Sequence, residues 1–251
     1  MLPAVLHPNT MQIRPLFNAM PGVDPHNCFF ISKERTMFLS RFFVTFFLLV
    51  SLSLTMSLAV HAEIVEGKDY TVLSSPQSTQ SGDKIEVLEF FWYGCPHCNN
   101  LHPHIKTWLK NIPDDVSFRY VPAIFRTNWI PAAKTFYAME AIDATEILHD
   151  KAYDALHRDK IDLNKEPILF DWVAKQGVDR EKFIGAYNSF TVQNQVARST
   201  QMSRQYKLTG VPALVVDGKY VTSGGMGGTL QGTIKILQKL VDKARQEKGV
   251  N

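Results

Sequence analysis

Val87-Leu88-Glu89-Phe90-Phe91-Trp92-Tyr93-Gly94-Cys95-Pro96-His97-Cys98 joins an apolar, aromatic run of strand type to two cysteines three residues apart, with Gly94 as the break between them. The strand is expected from Lys84 to Phe91, apolar on both faces as parallel-sheet strands are. Glu89 is the exception, an acid inside a run built for burial: either it points to solvent from an edge strand, or, if buried, it is partly protonated or paired. The cysteines open a helix. At its exposed first turn the Cys95 thiolate would be stabilised by unpaired backbone N–H groups and the positive end of the helix dipole, whereas Cys98, one turn further in, would face the strand and be shielded. This spacing serves a dithiol that opens and closes.

Outward from this stretch, Leu101, Ile105, Trp108 and Leu109 recur at helical spacing and give the helix one apolar face. Residues 111–115 end it, and a second strand is expected over Val116–Phe125, with Arg119 and Tyr120 in its middle and Pro122 able to cut it short. Strand, helix and strand in this order make a right-handed crossover unit of an α/β sheet. From Arg126 to about Leu208 the pattern is helical, with Pro131 and Pro167 suited to helix starts, Gly177 to a stop and Asp179 to an N-cap. The sheet returns with Val211–Val216, a hairpin turn at Asp217-Gly218 and Lys219–Thr222. A final helix runs from Thr229 to about Gln246, and one short strand around Tyr70–Leu73 precedes the central one. The expected fold class is therefore α/β, a sheet domain in two halves (63–125 and 209–251) around a helical insertion (126–208).

Phe42–Val60 is a nearly unbroken apolar run, preceded by Lys33, Arg35 and Arg41 and followed by His61-Ala62. Basic residues, an apolar stretch and a small-residue exit describe an export signal cleaved after Ala62; the alternative is an uncleaved anchor in the inner membrane. Translation is expected at Met1 or Met37. Residues 1–62 are set aside as extension and leader, and Cys28 goes with them, so of the three cysteines only Cys95 and Cys98 remain. A single, closely spaced pair in an exported protein is a reagent rather than a staple. Of 27 basic and 24 acidic residues, 1–62 carry four (Arg14, Lys33, Arg35, Arg41) and two (Asp24, Glu34). The remainder has a formal net charge of +1, which gives no support to nucleic-acid binding.

Together, Glu89-Phe90-Phe91 ahead of Cys95-Pro96-His97-Cys98, the helical insertion, and Gly210-Val211-Pro212-Ala213 opening a hairpin whose turn reads Asp217-Gly218-Lys219-Tyr220 resemble the DsbA thiol:disulfide oxidases over essentially all of residues 63–251. The resemblance implies a thioredoxin fold interrupted by an all-helical domain, and a periplasmic enzyme that passes its Cys95–Cys98 disulfide to reduced, unfolded exported proteins. It needs no cofactor beyond that disulfide, is reoxidised by a DsbB-like membrane quinone reductase, and is expected as a monomer. Position by position, Cys95 resembles the attacked sulfur and Cys98 the buried resolving one. Pro96 and His97 match the dipeptide that sets the redox poise, Pro212 the cis proline with Val211 before it, and Glu89 the buried acid under the site. Arg119 is taken as the basic partner of Glu89. Where the best-known members have an aromatic before the first cysteine, this chain has Gly94, preceded by Trp92-Tyr93.

Other readings of the same residues are a reductase or isomerase on this scaffold, a glutathione-dependent isomerase of related architecture, and a zinc-binding module using Cys95, Cys98, His102 and His104. His102, His104, His149 and His157 read as surface helix residues, and Trp108, Trp129 and Trp172 as core. Met226, in the glycine-rich stretch 224–228, is a candidate to line a groove near Pro212.

Overall fold

The computed structural model describes residues 63–249; the leader, its exit at Ala62, the alternative anchor, the two candidate starts and Cys28 lie outside them. Among the described residues no helix is long and apolar enough to cross a membrane.

Five strands form one mixed sheet: β1 (Thr71–Val72), β2 (Ile85–Phe91), β3 (Val116–Pro122), β4 (Ala213–Val216) and β5 (Tyr220–Ser223), in the order β1-β5-β4-β2-β3. Strand β2 pairs parallel with β3 and antiparallel with β4, which explains why all seven of its residues are buried. The parallel pair is joined through helix α1 (Pro96–Leu109), the crossover that the sequence pattern demands. Strand β3 stops at Pro122, short of Phe125, because proline has no N–H to continue the ladder. The hairpin between β4 and β5 turns at Asp217 and Gly218, both with positive φ, 50° and 65°. A side chain at Gly218 would also collide with the Gln77 carbonyl, so this position requires glycine.

Between β3 and β4 come a 3₁₀ turn (Thr127–Trp129) and five helices: α2 (Ile130–Ala141), α3 (Thr145–His157), α4 (Glu166–Lys175), α5 (Arg180–Tyr187) and α6 (Phe190–Gln205). Asp179 caps α5 as expected, its Oδ1 accepting the Lys182 N–H at 2.8 Å. Helix α7 (Leu230–Lys248) closes the chain.

The period of two along β2 divides the core. Ile85 and Val87 point to one face, where they pack under α1 and α7 against Leu101, Ile105, Leu237 and Leu240. Leu88 and Phe90 point to the other, against Val121, Val215 and Tyr206. The third apolar cluster fills the helical block and runs on to Phe91, Tyr93, Cys95 and Cys98, so the helices and the cysteine turn share a core.

Candidate redox site

Strand β2 ends at Phe91, and residues 92–95 form a turn closed by the Cys95 N–H donating to the Trp92 carbonyl at 2.9 Å. Cys95 is the N-cap of α1, with extended backbone (φ −86°, ψ 118°), and Pro96 takes the first helical position, where its missing N–H costs nothing. The thiol thus stands at the mouth of the helix, where free N–H groups converge. It is not exposed as expected: Cys95 is 7% accessible and Cys98 fully buried, both as free thiols. His97 and Pro96 between them are exposed.

The two sulfurs are driven apart in acidity. The Cys95 thiol is lowered from 9.0 to about 6, most by the hydrogen bond from the Cys98 side chain, and further by the backbone N–H groups of Cys98 and His97 and the charge of His97; burial acts against this. Cys98 is pushed far up by burial, by the bond it gives Cys95 and by the neighbouring charges of Cys95 and Glu89. The Cys95 S–H lies 3.5 Å from the Val211 carbonyl, across from the cis Val211–Pro212 peptide. Both residues line a groove of about 740 Å³ that also takes in His97, Tyr206 and Met226.

Glu89 is fully buried with neither carboxyl oxygen hydrogen-bonded, and burial raises its pKa from 4.5 to about 8. Arg119 is not its partner. In the β2–β3 register Glu89 lies beside Tyr120 and Arg119 beside Leu88, so the guanidinium emerges on the opposite face of the sheet. There Arg119 Nη2 meets Glu86 Oε1 at 3.0 Å, and the same oxygen accepts the Gln80 N–H at 2.9 Å.

The histidines also depart from expectation. His102 and His149 are buried, and His104 and His157 are half-buried. His102 Nε2 bonds to Asp150 Oδ1 at 2.8 Å, an oxygen pair shared with Lys106, instead of turning toward the cysteines. No group of three or more His, Cys, Asp or Glu side chains converges as metal ligands among the described residues. His149 Nδ1 lies 2.6 Å from the Tyr93 hydroxyl, and His157 Nε2 donates to the Tyr93 carbonyl at 2.7 Å. Of the tryptophans, Trp172 is core, while half-buried Trp129 stacks on Trp92 with centroids 4.2 Å apart and planes within 4°. Trp92 folds over Gly94 so closely that any side chain there would strike its ring. The aromatic surface next to the first cysteine is thus supplied from position 92.

A family model described as a DSBA-like thioredoxin domain matches residues 86–234. The chain is similar to the thiol:disulfide interchange protein DsbA of Burkholderia cepacia, 40% identical over 204 residues that cover 80% of this chain and 96% of the relative. It is 37% identical to the protein of that name from Pseudomonas aeruginosa over 179 residues, 71% of this chain and 85% of the relative. Among solved structures, Pseudomonas aeruginosa DsbA superposes with a TM-score of 0.71 at 36% identity, covering 73% of this chain and 96% of that one. Reduced DsbA1 from Neisseria meningitidis does so with a TM-score of 0.67 at 30% identity, covering 76% and 100%.

Proposed function

The chain belongs to the DsbA family of thiol:disulfide interchange proteins and is a thiol:disulfide oxidoreductase; on that premise we propose that Cys95 and Cys98 are its redox couple, with Cys95 the sulfur that substrates attack. The observation that carries this reading is the position of Cys95 at the N-cap of α1, its sulfur served by Cys98 and two backbone N–H groups.

A substrate thiolate attacks Cys95 of the disulfide form. A substrate–Cys95 bond forms, the Cys95–Cys98 bond breaks, and its electron pair leaves on Cys98. A buried Cys98 anion is strongly disfavoured, so it takes up a proton, and protonated Glu89, close enough to act on it, is the group that supplies one. The substrate's second thiolate then attacks its own sulfur in the mixed disulfide. Cys95 departs as a thiolate that is stable at neutral pH. Glu89 regains its proton from solvent, so that two substrate thiols have been oxidised to a disulfide, two electrons reside on the enzyme, and of the two protons released one is held on Cys98 and one remains in solvent. Each pKa unit by which Cys95 lies below an ordinary thiol favours this direction by about 1.4 kcal/mol.

Pro96 starts the helix at its first position without an N–H to leave unpaired, and His97 adds charge near the sulfur. Val211 and Pro212 form the substrate platform: the Val211 carbonyl, directed at Cys95, is placed to pair with an extended peptide whose apolar side chains enter the adjoining groove. Arg119 supports the sheet through Glu86 rather than the site through Glu89. We assign residues 63–125 and 209–251 to the thioredoxin-like unit and 126–208 to the insertion. The periplasm as location, exported unfolded proteins as substrates and a DsbB-like membrane quinone reductase as reoxidant complete the reading; family membership supports them.

Equilibration with glutathione tests it. The disulfide form should be reduced by glutathione to the dithiol, which should persist against a large excess of oxidised over reduced glutathione, and Cys95→Ser should abolish oxidation of a reduced test protein. A couple as reducing as an ordinary structural disulfide, or activity surviving Cys95→Ser, would overturn it.

A further inference from the structure

Helix α3 grips the residue two before Cys95 at both of its ends. His149 and His157 stand a little over two turns apart on that helix. His149 Nδ1 is 2.6 Å from the Tyr93 hydroxyl, and the hydroxyl's other neighbour, Met139 Sδ at 3.6 Å, is the weaker acceptor. His157 Nε2–H donates to the Tyr93 backbone carbonyl at 2.7 Å. The Tyr93 ring is further enclosed edge-on by Phe91 and Tyr153, at 5.1 Å each. Within the turn itself the Cys95 N–H to Trp92 carbonyl bond is the single backbone tie. Gly94, the residue the Tyr93 carbonyl adjoins, adds no restriction of its own because it has no Cβ. The orientation of the Tyr93–Gly94 peptide therefore rests on an external donor, and a rotation there would carry Cys95 with it.

We propose that His157 is a positioning residue of the redox site: by holding the Tyr93 carbonyl it keeps the Cys95 sulfur under the backbone N–H groups of His97 and Cys98. The helical block thereby sets the acidity of the thiol. The proposal rests on the reading of Cys95 as the reactive thiol. His157 bonds to the backbone carbonyl two residues before Cys95, so its influence runs through the backbone. Loss of the bond frees the turn, the sulfur spends less time under its N–H donors, and the thiolate loses stability.

The test is the ultraviolet thiolate titration of Cys95 in the reduced full chain, for the wild type, His157→Leu and His157→Gln. Glutamine keeps an N–H donor near the position of Nε2. In His157→Leu the Cys95 pKa should rise by about 0.5 or more, and oxidation of glutathione should weaken by about threefold at equilibrium. His157→Gln should recover at least half of both changes. A folded His157→Leu protein that titrates with the wild type, or a glutamine variant displaced as far as leucine, overturns the proposal. If His157→Leu does not fold, His157→Asn, whose amide is too short to reach the carbonyl, carries the same expectation. Failure of the underlying redox reading is distinguishable, because it would show as an ordinary Cys95 titration in the wild type itself.

Discussion

Arg119 and Glu86 form an ion pair at 3.0 Å across the β2–β3 ladder, on the face of the sheet away from the cysteines. The carboxylate is 1% accessible whereas the guanidinium is partly open to solvent. Removing the cation leaves a buried anion with one backbone N–H for company. Because Arg119 is partly exposed, we discount the cost of breaking a fully buried pair to about 2 kcal/mol. Arg119→Met should lose that much stability by urea denaturation, and adding Glu86→Gln should restore most of it. The Cys95 titration should not move in either variant. A rise in the Cys95 pKa in Arg119→Met would instead tie Arg119 to the redox site.

Glu89 produces a pH dependence of the opposite origin, from a carboxyl with no partner. It ionises near 8 in the fold and near 4.5 in an open chain. Between those values the unfolded chain has released a proton that the folded protein still holds, so this group makes stability fall as pH rises from about 4.5 to about 8. Glu89→Gln removes that slope. The variant should match the wild type at the acidic end and exceed it by on the order of 2 kcal/mol near neutrality. Denaturant curves at both ends of the window check this. A stability difference that does not change with pH would show that Glu89 is not the titrating group.

The architecture was legible because its signals are local. A continuous apolar run and a glycine break mark β2, Asp217-Gly218 marks the hairpin, and proline starts and an aspartate cap mark the helices. The pair proposed as the redox couple is local in the same way, since Cys95 and Cys98 lie within one helical turn. What escaped the sequence depends on register or on a partner distant in the chain. One residue of phase in β3 decides whether Arg119 serves Glu86 or Glu89, and no pattern around Arg119 encodes the phase. His149 and His157 looked like polar residues on an amphipathic helix; their partner, Tyr93, is more than fifty residues earlier. The one available signal was that Tyr93 is a polar aromatic at the end of a buried strand, and its hydroxyl had to find a partner. Cys95 was expected to be exposed because helix N-termini usually are, but the helical block covers it.

The acidity of Cys95 depends first on its neighbour. The hydrogen bond from the Cys98 thiol is the leading cause of the lowered value of about 6, ahead of the backbone N–H groups and His97. Cys98→Ala removes that donor and leaves the helix mouth in place. Cys95 should then titrate clearly above about 6 and still below 9.0. In His97→Ala the rise should be smaller, since the His97 charge acts more weakly on the sulfur than the Cys98 thiol does and its backbone N–H survives the substitution. Thiolate absorbance against pH ranks the two variants. Should His97→Ala raise Cys95 further than Cys98→Ala does, the side-chain charge and not the second thiol governs the site.

Trp92 and Gly94 are coupled by exclusion. The indole lies over Gly94 and stacks on Trp129, which in turn has the Phe125 ring at 5.3 Å, so one aromatic ledge borders the cysteine turn. Gly94→Ala places a methyl where the Trp92 ring sits. The ring must move, and with it goes the parallel stack, worth about 1 kcal/mol beyond its buried area. Gly94→Ala alone should destabilise by about 1–3 kcal/mol, as overpacking does, and weaken the near-ultraviolet circular dichroism of the tryptophan pair. Trp92→Ala alone should also destabilise. Combined, the two should cost less than their sum, because the nearest atoms the methyl strikes are those of the ring that Trp92→Ala removes. Additive losses in the double-mutant cycle would mean that Trp92 leaves Gly94 uncovered in solution, and that the surface beside Cys95 is not built from position 92.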